Sequence, residues 1–95
     1  MIDAVNMQEL IRADEDQKCL SKISSAVKPG SVLWRLASDS WHKSIDTNEP
    51  LPTRRWEQLV DLLIGQRRFK KCDNQVVRCA IARLRDARRL TEGVL

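Results

Sequence analysis

Trp56, Leu59, Val60, Leu63 and Ile64 stand three and four residues apart, and Val77, Ala80, Ile81 and Leu84 repeat that spacing further along. Such steps return side chains to one face of an α-helix, whereas a half-buried strand needs alternation by two. No stretch of the chain alternates by two for long enough to argue a strand. The predicted fold class is therefore all-α: a compact bundle of five to six short antiparallel helices, forming a single domain over residues 1–95. A chain of 95 residues is long enough for one hydrophobic core.

Punctuation divides the pattern. Ala4, Met7, Leu10 and Ile11 make a first apolar stripe, then the acidic run Asp14-Glu15-Asp16 precedes Leu20, Ile23 and Val27. One bent helix and two helices are both compatible with this spacing. Pro29 disfavours helical geometry at Lys28, and Gly30 suits a turn. Ser31 is predicted to cap a helix carrying Leu33, Trp34, Leu36, Ala37 and Trp41, whose wide apolar face suggests neighbours on more than one side. That helix should end before Pro50 and Pro52. Thr53 is the predicted cap of the next helix, and Asp73 of a last helix over residues 73–90. On a helical wheel of that last helix Val77, Ala80, Ile81 and Leu84 form one face, Arg78, Arg85 and Arg89 another, and Arg83 and Asp86 point away from the core.

Composition narrows the class of protein. The apolar fraction of 42% and charged fraction of 32% are those of a globular domain rather than a disordered tail. No apolar run approaches the roughly 20 residues that cross a bilayer. The opening MIDAVNMQEL has neither the basic region nor the apolar stretch of a secretory signal. Cys19, Cys72 and Cys79 form no CxxC pair and no even disulfide framework, which favours a reducing interior, cytoplasmic or nuclear. Charge is uneven: residues 1–47 carry six Lys/Arg against seven Asp/Glu, and residues 48–95 carry eleven against six. The second half should attract anions, whether nucleic acid or an acidic protein surface.

Catalytic chemistry finds little support. His42, Ser44 and Asp46 offer triad residue types, but closeness along a polar helix end does not supply triad geometry. One histidine and no cysteine pair fall short of zinc-ligand spacing. No phosphate-binding glycine loop is present. No catalytic residue, metal or cofactor is expected. The stronger constellation is basic: Arg54-Arg55, Arg67-Arg68, Lys70-Lys71, Arg78, Arg85 and Arg88-Arg89 surround two amphipathic helices. Phe69 lies inside that basic run, and could stack on a partner or plug the core. Trp34, Trp41 and Trp56 each fall on an apolar side and are expected in the core rather than as ligand platforms, and one left partly exposed as an interface anchor would be unsurprising.

Two families enter on particular residues. Trp34-Arg35-Leu36-Ala37, with Leu84-Arg85 and Leu90-Thr91-Glu92-Gly93-Val94-Leu95 downstream, resembles a death domain over about residues 18–95. In that family a tryptophan followed by Leu-Ala opens the second helix, and the penultimate helix ends in a Leu-Arg pair before a short terminal helix. The resemblance implies a six-helix bundle without catalysis that associates through oppositely charged surfaces, here Asp14-Glu15-Asp16 and the arginines of the last helices. Separately, residues 74–91 are similar to the recognition helix of winged-helix regulators, which implies that Arg78 and its neighbours face a DNA major groove. The favoured expectation is a death-fold type of protein-protein interaction module, with Arg78, Arg85, Arg89, Arg67, Arg68, Lys70 and Lys71 as its binding residues. Its partner would be an acidic protein surface or a second copy, with no membrane involved. The alternative is a small basic DNA-binding regulator that reads DNA with the helix over 74–90.

Overall fold

The computed structural model describes residues 4–66 and 74–92, with the side chains of 7–66 and 74–89. Among these residues the chain is all-helical, in four helices: α1 (Ala4–Ala26), α2 (Val32–Thr47), α3 (Thr53–Gly65) and α4 (Gln75–Glu92). The expected five to six helices reduce to four for two reasons. Neither Pro nor Gly interrupts residues 4–26, so α1 runs unbroken through the acidic cluster. In turn α2 continues to Thr47, which leaves no separate helix in 43–48. By its internal packing the chain divides into two compact units, Met1–Leu51 and Pro52–Leu95. Each unit contains one helical hairpin.

In the first unit the turn after α1 is built as its residues dictate, with Gly30 at φ 85°. Ser31 then caps α2, its hydroxyl accepting from the Trp34 amide at 3.2 Å. Leu33, Ala37, Ser40 and Ser44 are the buried residues of α2, a narrower stripe than the apolar pattern suggested. Ala13, Asp16, Cys19, Leu20 and Ile23 are buried on α1. Trp34, Leu36 and Trp41 are half-buried, flanking this stripe rather than filling it. The predicted apolar stripe at the start of α1 fares worse: Met7, Leu10 and Ile11 are all exposed. Within this hairpin α2 has 16 residues against 23 for α1, so it gives those positions no cover.

Polar side chains close the hairpin. Asn48 ends α2 in the left-handed conformation (φ 55°) and returns its amide to the Ser44 carbonyl at 2.8 Å. Gln17 donates to the Ser44 carbonyl at 3.2 Å and to its hydroxyl at 3.3 Å, and that hydroxyl donates to the Glu49 carbonyl at 3.1 Å. Asp16 is only 2% exposed, and its carboxylate accepts from the Leu51 amide at 2.8 Å. Together these bonds return the segment after α2 to the side of α1.

In the second unit α3 buries Trp56, Leu59, Val60 and Leu63, while Ile64 is exposed. Eight residues beyond Trp56, Ile64 has drifted about 80° round the helix and off the apolar face. Pro52, not Thr53, occupies the cap position; its carbonyl accepts from Arg55 and Trp56, and no side chain caps the helix. Thr53 is the first helical residue, because the fixed φ of Pro52 already leads the chain in. At α4 the observed cap is Asn74, whose side-chain oxygen accepts from Val76 at 2.8 Å and Val77 at 3.4 Å. The predicted cap Asp73 lies outside the described residues. No helix among the described residues is long and apolar enough to cross a membrane.

Two buried polar groups of the first unit should respond oppositely to truncation. Asp16→Ala leaves the Leu51 amide without its acceptor and should cost about 1–3 kcal/mol, read from the urea midpoint. Ser40, whose buried hydroxyl has no hydrogen-bond partner among the described residues, should tolerate Ser40→Ala within about 0.5 kcal/mol. Equal losses for both would show that the Asp16 bond has no special weight.

Candidate functional site

The side chains that α4 buries determine what it shows. Val77, Ala80, Leu84 and Ala87 are buried and Ile81 is half-buried, so the predicted core face stands, with Ala87 added. Arg78, Arg85 and Arg89 are exposed. On a helix of 3.6 residues per turn these three lie within about 40° of one another and roughly opposite the apolar stripe. From Arg78 to Arg89 the face extends about 16 Å along the axis. Ala82 and Gln75 complete it, both exposed and neither charged.

The remaining cations of α4 are arranged differently. Arg83, predicted to point away from the core, is only 12% exposed in its side chain and is bound to Asp86 at 2.8 Å. The reason is angular: Arg83 falls beside Ala80 and Ala87 on the wheel, at the edge of the buried face. Arg88 approaches Glu57 of α3 at 3.8 Å, a half-exposed pair across the hairpin. Such a pair contributes little to stability, about 0–1 kcal/mol. Among the described residues neither Arg85 nor Arg89 is paired with a carboxylate. The expected binding residues Arg67, Arg68, Lys70 and Lys71 lie outside the described residues, as does Phe69.

The triad types do not assemble. Ser44 is buried and its hydroxyl is engaged with Gln17 and Glu49, whereas His42 is exposed and stacks on Trp41 at 5.7 Å between ring centroids. Among the described residues no three His, Cys, Asp or Glu side chains come together in a group that could hold a metal ion. Neither Cys19 nor Cys79 is joined in a disulfide. Of the tryptophans only Trp56 is fully buried, and Trp34 and Trp41, expected in the core, are half-buried. The placement of Trp41 was hidden in the sequence because an apolar wheel position reads as core wherever the neighbouring helix is assumed to be bulky. Here the stripe of α2 is Leu33 followed by Ala37, Ser40 and Ser44, small side chains where it passes Trp41.

The two faces of α4 make separable demands. Leu84→Ala should destabilise the protein by roughly 2–5 kcal/mol, while Arg85→Ala should stay within about 0.5 kcal/mol of the parent. Chemical denaturation of the two variants checks the assignment, and a near-neutral Leu84→Ala would mean the faces are reversed. Comparison with protein-family models, with curated proteins and with solved structures yields no match to this chain.

Proposed function

We propose that this chain is a non-catalytic binding module that engages an acidic protein surface through the arginine face of α4. One observation carries the reading. Arg85 and Arg89 are both exposed at an i,i+4 spacing, and the nearby Asp86 is turned to Arg83 instead. Like charges at that spacing destabilise a helix by about 0.2–0.5 kcal/mol. A face kept only for solubility gains nothing from that repulsion, whereas a carboxylate-bearing partner removes it and adds charge-assisted hydrogen bonds. The death-domain resemblance supports the same reading, since it implies association through charged surfaces, although four described helices stand here where that family has six. The three cysteines are consistent with a module that works in a reducing compartment, cytoplasmic or nuclear.

A DNA-binding role is the second reading. It is favoured by the length of the arginine face, about 16 Å, which is enough to reach successive phosphates, and by the likeness of residues 74–91 to a winged-helix recognition helix.

Charge reversal separates these readings. The double variant Arg85→Glu with Arg89→Glu should keep its helicity and lose at least about tenfold in affinity for an acidic helical peptide. Titration with random duplex DNA at low and moderate salt provides the comparison. Tight DNA binding with a steep salt slope, abolished by the same variant, would replace the protein-surface reading with the DNA one. Unchanged binding of both probes by the variant would remove α4 from either role.

A further inference from the structure

Trp41 occupies a place that packing does not explain. On α2 the buried stripe is Leu33 followed by the small residues Ala37, Ser40 and Ser44, and Trp41 lies beside its small end, half-buried. Its ring is held against His42, with 14° between the planes. Trp41 also lines an open groove of about 390 Å³, with Asp14, Gln17, Lys18, Ser21 and Lys22 of α1. His42 is not part of the lining. That volume falls in the range of about 300–1,000 Å³ typical of small-molecule sites.

The polar groups of the groove can be accounted for one by one. Gln17 is engaged with Ser44. Lys18 pairs with Asp14 at 3.0 Å, so their charges offset. Lys22 is exposed and has no carboxylate partner among the described residues, and Ser21 is half-buried on the turn between the two lysines. What remains is one positive charge, a hydroxyl and an aromatic surface.

We propose that this groove binds a small aromatic carboxylate. The ring of the ligand lies on the indole of Trp41, and its single carboxylate meets the Lys22 ammonium and the Ser21 hydroxyl. A second negative charge would find no second cation in the groove outside the Lys18–Asp14 pair, and a neutral ligand would forgo the ion pair with Lys22. Because the groove is open, affinity is modest, with Kd on the order of 1 mM. This inference rests on α1 and α2 alone and stands apart from the arginine face of α4.

The test is a titration of the full chain with 3-phenylpropionate, followed by backbone and indole N–H chemical shifts. Neutral 3-phenylpropanamide and acetate are run alongside it. The expected result is saturable shifts confined to Lys18, Ser21, Lys22, Trp41 and His42, with both comparators at least about tenfold weaker. Lys22→Gln should bring the carboxylate down to the level of the amide. Trp41→Leu should abolish binding, and Trp41→Phe should retain part of it if the leucine variant loses helicity. Non-saturating shifts, equal binding of acid and amide, indifference to Lys22→Gln, or shifts centred on Arg85 and Arg89 would each overturn the proposal.

Discussion

A helix that must bury one stripe has no freedom over where its opposite face points. In α4 the stripe is Val77, Ala80, Leu84 and Ala87. Burying side chains of this kind contributes about 25 cal/mol for each Å² of apolar surface removed from water, far above anything an exposed arginine adds to stability. Rotating the helix to hide Arg85 would expose Leu84 and bury an uncompensated charge, and both changes are unfavourable. The arginine face is thus held outward by the core, and the two faces can change independently. A surface of this kind is free to be shaped by a partner.

The first unit reaches closure by a different route. Beyond Leu33 its interhelical seam is short of bulk, because α2 contributes Ala37, Ser40 and Ser44 where larger apolar residues would ordinarily stand. Side-chain hydrogen bonds add to that packing and join its parts. Asp16 and Gln17 are adjacent on α1 and reach different targets, the Leu51 amide and Ser44. A buried carboxylate is costly unless its acceptors are used, and the 2.8 Å bond from Leu51 supplies that use while tying the end of the unit to its middle. The same small seam leaves Trp41 at its edge, where the ring lines a groove instead of a core.

Much of the fold was legible because helical spacing is a local signal. The apolar positions of α4, those of α3 apart from Ile64, and the Ser31 cap follow from residues within two turns of each other, and the structure keeps them. What failed depended on distant parts of the chain. Met7, Leu10 and Ile11 have a sound helical spacing, but burial also needs an opposing helix, and α2 is too short to supply one. Asp16 reads as one member of a solvated acidic cluster until Leu51, 35 residues on, is placed beside it. The caps of α3 and α4 were each displaced by one residue because Thr or Asp beside Pro or Asn leaves the choice to backbone geometry. The arginine face itself was legible in full along α4, since exposure on one side follows directly from burial on the other.

Charge distribution distinguishes the two units further. Residues 1–51 carry six Lys/Arg against eight Asp/Glu, a net of −2, and residues 52–95 carry eleven against five, a net of +6. The helix dipole accounts for a part of the excess, since a cation in the last turn of a helix gains about 0.3–1 kcal/mol. Arg89 stands in that last turn. The dipole effect fades within a turn, however, and does not reach Arg85 or Arg78. Nor does local pairing account for Arg85, because the one acidic residue between Arg78 and Glu92 is Asp86, and that carboxylate is engaged by Arg83. With folding, dipole and local pairing each set aside for Arg85, the proposed anionic partner is what would give its exposed charge a role, through electrostatic steering.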